Sequence, residues 1–143
     1  MNFYSLNGKA PEVGLEEAVV RGIAPDKGLY FPESITPLPQ SFFDNIENLS
    51  NNEIAFTAIR QFVDGVIPDE ALKDIIADVL SFDFPVVEVE ENIGTLELFH
   101  GPTMAFKDVG ARFMARCLGY FSAQKETQEP VTVLVATSGD TGG

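Results

Sequence analysis

The chain has 143 residues, of which 45% are hydrophobic, and it carries 9 basic against 22 acidic side chains, for a formal net charge of −13. This length and apolar fraction predict a globular chain with a proper core and exclude a disordered one. Nucleic acids and anionic membranes are bound by clustered cations, whereas the basic residues here are scattered, so neither partner is expected.

The first ninety residues predict a mainly helical domain that also contains short strands. Apolar residues that recur with a helical period alternate there with strand-like runs bounded by glycine or proline. The predicted strands are 2–6 and 28–32, and the predicted helices are 14–21, 41–47, one after Ser50 and one after Pro68.

Helix caps support these assignments. Gly22 follows the first helix, at a position where glycine is favoured. Ser50 and Glu53 form a capping box, in which each side chain binds the backbone amide of the other residue. Pro68 is suited to the first turn of the next helix.

From about residue 85 the pattern changes to that of an α/β domain. The predicted elements are strands at 85–90 and 95–99, a helix at about 104–123 and a strand at 131–137. The last of these, VTVLVAT, is a nearly unbroken apolar run, which is typical of a parallel strand covered on both faces. The sequence therefore predicts an α/β chain with a helical domain at 1–90 and the start of a parallel βαβ domain at 91–143. We expect the second domain to be incomplete, as in the N-terminal piece of a longer protein.

The rare residue types exclude several kinds of site. The single Cys117 excludes an internal disulfide, and the single His100 excludes a zinc site of cysteine and histidine ligands. A Ser-His-Asp triad would depend on His100, and no nucleophile-elbow motif accompanies it. No apolar run approaches the ~20 residues that span a bilayer, and the first residues lack the features of a secretory signal. We therefore expect a cytoplasmic protein.

Lys107 lies in an unusual place for a lysine, just after a glycine–proline stop and an apolar Met-Ala-Phe. Most lysines are exposed charges, and that remains the ordinary interpretation. If Thr103 caps the helix, however, Lys107 falls one turn into it, and Gly110 and Ala111 leave room beside its stem. The amide dipoles of a helix start and partial burial both favour the neutral amine, which is the form that makes a Schiff base.

The second candidate motif is TSGDTGG at residues 137–143, directly after the predicted buried strand. Ligands of open α/β sheets bind at the carboxyl ends of strands. Backbone amides and the hydroxyls of Thr137, Ser138 and Thr141 could surround a small anion there. The motif is neither a P-loop nor GxGxxG, and the alternative is a plain turn between strand and helix.

Taken together, these motifs resemble the threonine synthases. The segments that carry the resemblance are FHGPTMAFKDVGARF at 99–113, ATSGDTGG at 136–143 and, upstream, GLEEAVVRGIAPDKGLYFP at 14–32. That family uses pyridoxal phosphate and belongs to the fold type II group with threonine dehydratase and cysteine synthase. The resemblance covers nearly the whole chain. One departure is Asp140, because many relatives carry asparagine in an SGNTG loop.

The resemblance implies a set of roles for these residues. Lys107 would hold pyridoxal phosphate as a Schiff base and then act as general base, with Asp140 near the cofactor's ring hydroxyl. The substrate α-carboxylate would be bound by Thr137, Ser138, Gly139, Thr141 and Gly142. The implied enzyme is a lyase that converts O-phospho-L-homoserine and water to L-threonine and phosphate. The remaining C-terminal part of the enzyme is the expected partner.

Two alternatives stay open: a non-catalytic folded fragment, and another fold type II enzyme such as a dehydratase or a cysteine synthase.

Near Lys107, we expect Asp108 to pair with Arg112 four residues on and to hold the helix. Arg116 is expected to be a surface charge, and His100 a hydrogen-bonded histidine at a strand end.

Overall fold

The structure is a computed structural model that describes residues 1–63, 65–125, 132–137 and 139. Its elements in chain order are β1 (Phe3–Ser5), α1 (Leu15–Arg21), β2 (Tyr30–Pro32), α2 (Gln40–Asp44), a 3₁₀ turn (Ile46–Asn48), α3 (Asn51–Val63), α4 (Asp69–Val79), β3 (Val86–Glu90), β4 (Ile93–Leu96) and α5 (Lys107–Ala123). The predicted mixed α/β class is confirmed. No helix in the part of the chain described here is long and apolar enough to cross a membrane.

The chain divides into two compact units, Met1–Ala77 and Asp78–Gly143. The first unit contains the predicted helical region and one small sheet, in which β1 and β2 pair antiparallel with Tyr4 opposite Phe31. The domain boundary at 90/91, which follows the change in sequence pattern, stays a prediction.

Local signals in the sequence determine the helices of the first unit. The Ser50 amide donates to Glu53 Oε2 at 2.8 Å, and the Glu53 amide donates to Ser50 Oγ at 3.3 Å, which confirms the capping box. Gly22 ends α1 with a φ of 68°, a conformation that glycine adopts readily. The apolar stripe predicted after Pro68 is buried at Leu72, Ile75, Ile76 and Val79.

A buried hydroxyl joins β1 to the turn before β2. Ser5, only 1% exposed, donates from Oγ to Asp26 Oδ1 at 2.6 Å. Asp26 also accepts from the amides of Gly28 at 3.1 Å and Lys9 at 2.9 Å. A Cβ added to Gly28 would overlap Ser5 Oγ and lie 2.9 Å from the Asn7 nitrogen. Residue 28 must therefore be glycine for the turn to lie this close to Ser5 and Asn7.

The second unit begins with an antiparallel hairpin of β3 and β4, whose turn passes through Asn92 at a φ of 63°. The prediction of two strands joined by a turn is confirmed, although β4 starts at Ile93 rather than at residue 95. Every residue of both strands is exposed. In α5, Cys117 and Phe121 form the buried face.

The strand predicted at 131–137 does not form in the described residues. Residues 132–137 have no regular secondary structure and are exposed, with Leu134 91% exposed. An apolar β-branched run becomes a parallel strand only when neighbouring strands supply ladder hydrogen bonds and helices cover its faces. The sheets within the described ranges are two antiparallel pairs, and neither includes this segment.

Candidate active site

The helix that carries Lys107 begins later than the sequence predicts. Its first residue is Lys107 itself, and the preceding residue, Phe106, makes no side-chain capping bond. A compact turn precedes it, in which the Met104 amide donates to the Gly101 carbonyl at 3.0 Å. Met104 adopts a φ of 55°, which is unfavourable for a residue with a side chain.

The expectation that Thr103 caps this helix is wrong, because Thr103 binds the Asp108 side chain instead. Its hydroxyl donates to Asp108 Oδ1 at 2.7 Å, and its amide donates to Oδ2 at 3.0 Å. Asp108 is only 3% exposed. A Cβ on Gly101 would come within 2.8 Å of the Asp108 Cβ, so the turn closes tightly only with glycine at that position.

The electrostatics of Asp108 favour its charged form. Burial alone would raise its pKa, but several interactions outweigh burial: hydrogen bonds from the hydroxyl and amide of Thr103, one from the backbone of Ala105, and the nearby charge of Lys107. The pKa of Asp108 therefore lies below its ordinary value of 3.8.

Arg112 does not pair with Asp108, contrary to the expectation from their spacing. Its Nη2 donates to the Asp78 carbonyl at 2.6 Å and lies 3.2 Å from Ser81 Oγ. Arg116 is also paired, with Nε 2.6 Å from Asp78 Oδ2, and this bond is the main cause of a lowered pKa at Asp78. The helical i, i+4 pair fails because the Asp108 carboxylate is already satisfied by the turn.

Lys107 is half-buried, and its amine makes no hydrogen bond or ion pair with the residues that the structure describes. The room expected beside its stem is present, because a Cβ added at Gly110 would meet nothing within 4 Å. Its apolar sequence neighbours Met104 and Phe106 are 77% and 74% exposed. Lys107 thus follows two exposed apolar residues in the chain, and its amine is not engaged by another described residue.

His100 has the hydrogen bond expected for a histidine near a strand end. Its Nε2 lies 2.6 Å from Glu97 Oε2, and its ring stacks on Phe99 with centroids 4.8 Å apart.

The predicted substrate loop is described only at Thr137 and Gly139. The Gly139 amide donates to Thr137 Oγ1 at 3.2 Å, and Gly139 has a φ of 143°. The other predicted residues of the loop, Ser138, Asp140, Thr141 and Gly142, lie outside the described residues. The juxtaposition of this loop with Lys107 therefore stays a prediction.

The contact between Thr103 and Asp108 was not predicted from the sequence. An acidic residue in the first turn of a helix is a common partner of free amides, but the spacing rule pointed to Arg112 as the partner of Asp108. Its partner could not be identified, because the predicted helix start was placed at Thr103 and the residues between the two were assigned to the helix.

Comparison with known proteins identifies the family. A family model described as the threonine synthase N terminus matches residues 2–80. The chain belongs to this family. The resemblance found in the sequence motifs is thereby confirmed.

Relatives within the family match nearly all of the chain. The threonine synthase of Escherichia coli K12 is 38% identical over 142 residues, which are 99% of this chain and 32% of that protein. The Saccharomyces cerevisiae enzyme is 35% identical over 98% of the chain and 31% of its own length. The chain thus spans about a third of the length of the curated relatives that it matches.

Solved structures of threonine synthases share the fold. The Escherichia coli structure superposes with a TM-score of 0.89 and 38% identity, covering 99% of this chain and 32% of that one. A Brucella melitensis threonine synthase, described as bound to pyridoxal phosphate, has a TM-score of 0.80 and 33% identity. The match covers 87% of this chain and 28% of the Brucella melitensis chain.

Proposed function

We propose that this chain is the N-terminal part of a pyridoxal-phosphate threonine synthase of fold type II, and that Lys107 holds the cofactor. The observation that carries the proposal is Lys107 itself, a half-buried residue at the start of α5 whose amine makes no hydrogen bond or ion pair with the described residues. Matches to threonine synthases along nearly the whole chain support it, as does the cofactor named for the Brucella melitensis relative.

The described residues near Lys107 suit pyridoxal phosphate. The amine does not have to break an ion pair with another described residue before it reacts. The open space at Gly110 accommodates a bulky group beside the lysine stem. Met104 and Phe106 offer apolar surface, which aromatic ligands require. We assign the binding of the cofactor phosphate to the remaining part of the enzyme.

When bound, pyridoxal phosphate supplies an electron sink for the charge that develops at the substrate α-carbon. Lys107 would hold the cofactor, and its amine would accept and return protons as general base. The proposed substrate is O-phospho-L-homoserine. Its carbon–oxygen bond to phosphate breaks, water adds, and L-threonine and phosphate leave.

The loop at 137–142 is proposed to bind the substrate α-carboxylate through backbone amides and hydroxyls. The Thr137 hydroxyl, which accepts from the Gly139 amide, would be one of these groups, and Asp140 is assigned to the ring hydroxyl of the cofactor. The domain boundary at 90/91 belongs to the same proposal. The proposal also includes a cytoplasmic location, because the single Cys117 suits a reducing compartment.

Chemical trapping tests the proposal. The full-length enzyme is loaded with pyridoxal phosphate, reduced with borohydride and digested, and the modified lysine is identified by mass spectrometry. We expect the label on Lys107. Label on another lysine, such as Lys125, would contradict the assignment. Phosphate release from O-phospho-L-homoserine by the same enzyme separates threonine synthase from a dehydratase or a cysteine synthase.

A further inference from the structure

The residue after the proposed cofactor lysine is a buried carboxylate. Asp108 and Ser5 are the buried polar or charged residues among those described. A buried carboxylate must have its oxygens satisfied, and each oxygen of Asp108 accepts a hydrogen bond from Thr103, beside a further one from the backbone of Ala105. The two bonds come from the hydroxyl and the amide of the same residue, so they restrain both the side chain and the backbone of Thr103.

The turn that these bonds close is one that the backbone does not favour. Met104 has a positive φ, a conformation that persists only where surrounding contacts hold it. Gly101 leaves just enough room for the Asp108 side chain. The segment that leads into Lys107 is therefore held by the Asp108 carboxylate, depends on the small size of Gly101 and contains the strained Met104.

This segment determines where α5 begins. Phe106 makes no side-chain capping bond, and the contact between Thr103 and Asp108 spans the residues at the helix start. Lys107 lies between the two partners in the chain, and the backbone there sets the direction of its Cβ. A displacement of about 1 Å in a reacting group can cost roughly a hundredfold in rate.

We propose that Asp108 is a positioning residue for Lys107, whose carboxylate binds Thr103 across the turn and so fixes the start of α5 and the direction of the lysine side chain. This proposal rests on the proposed function. The competing role is electrostatic, in which the negative charge beside the Lys107 amine matters and the geometry of the turn does not.

Two pairs of variants separate these roles in the full-length enzyme. Thr103→Val removes the hydroxyl and keeps the side-chain shape, whereas Thr103→Ser keeps the hydroxyl. Asp108→Ala removes both acceptors. Asp108→Asn removes the charge but can still accept from the Thr103 amide and donate to its hydroxyl.

The first readout is the rate at which Lys107 takes up pyridoxal phosphate, measured by borohydride trapping and mass spectrometry. We expect Asp108→Ala and Thr103→Val to slow it at least about tenfold, and Asp108→Asn and Thr103→Ser to stay within about threefold of the parent. Equal rates in Asp108→Ala and the parent would overturn the proposal. Asp108→Asn as slow as Asp108→Ala would also overturn it, in favour of the electrostatic role.

The second readout is hydrogen exchange at the Thr103 amide, which needs no cofactor. We expect protection in the parent and in Asp108→Asn, and its loss in Asp108→Ala. Unchanged protection in Asp108→Ala would overturn the proposal whatever the cofactor does. If no label reached Lys107 in the parent while this protection was lost in Asp108→Ala, the proposed function would be wrong and the control of the helix start by Asp108 would be supported.

Discussion

Arg112 and Asp78, 34 residues apart in the sequence, are joined by a hydrogen bond of 2.6 Å from the guanidinium to the backbone carbonyl. The same guanidinium lies 5.9 Å from the centroid of the Phe82 ring. Arg112 thus connects α5 to the start of the second unit. The acceptor is a backbone carbonyl, which remains whatever side chain replaces Asp78.

We expect Arg112→Lys to lower the Tm of the chain by about 5 °C, because a lysine ammonium cannot reproduce the planar fork or its stacking. The matched control is Arg21→Lys, since Arg21 pairs with Glu17 at 2.8 Å on an exposed helix face. Such surface pairs contribute little, so the control should leave Tm nearly unchanged. Thermal denaturation followed by circular dichroism measures both. Equal shifts would mean that Arg112 is an ordinary surface charge.

The contrast between these contacts shows how far the sequence could be interpreted. The capping box of Ser50 and Glu53 depends on residues three apart, and such local signals can be recognised without a fold. The contact of Arg112 with Asp78 and that of Ser5 with Asp26 join residues 34 and 21 apart, and no spacing rule identifies such partners. For Lys107, its motif and its neighbour Gly110 could be recognised from the sequence, but the start of α5 could not. Asp108 binds Thr103, five residues before it, in a turn that no capping rule describes.

Gly28→Ala is expected to destabilise the chain by roughly 1–3 kcal/mol, the usual cost of overpacking. The new Cβ would overlap Ser5 Oγ and displace it from Asp26. Gly119→Ala is the control, because a Cβ there meets nothing within 4 Å, and in a helix interior it should stabilise by up to about 1 kcal/mol. Urea denaturation gives both values. A neutral Gly28→Ala would show that the turn before β2 can relax.

Alkaline pH should weaken the fold through Cys117. Burial raises the pKa of this thiol from 9.0 to about 11, so the folded state favours the protonated form. The resulting stabilisation is fully present below pH 9 and is lost as pH rises through about 11. We expect Cys117→Ala to be less stable at neutral pH because of its cavity, but to lose less stability between these pH values. If the free energy of unfolding fell equally with pH in the parent and in Cys117→Ala, this expectation would be wrong.

Lys107→Ala in the full-length enzyme should lower the formation of L-threonine from O-phospho-L-homoserine by at least about a hundredfold, because alanine has no amine to take the proposed role of Lys107 in the Schiff base. Lys107→Arg should fail as well, since a guanidinium stays protonated. Lys125→Ala, two residues beyond the end of α5, serves as the control and should keep activity. A Lys107→Ala enzyme with near-parental activity would remove this residue from the proposed role.

The chain of residues 1–143 by itself is expected to bind pyridoxal phosphate weakly, with no saturation below roughly 0.1 mM. In the described residues around Lys107, the cofactor would meet an available amine and the exposed side chains of Met104 and Phe106. The segment 132–137, which leads into the proposed substrate loop, is exposed and has no regular secondary structure. A Schiff base formed in such an open site remains in contact with water and hydrolyses. Titration of the chain with the cofactor, followed by visible absorbance, measures this. Saturable micromolar binding that disappears in Lys107→Ala would show that these residues alone suffice to hold the cofactor.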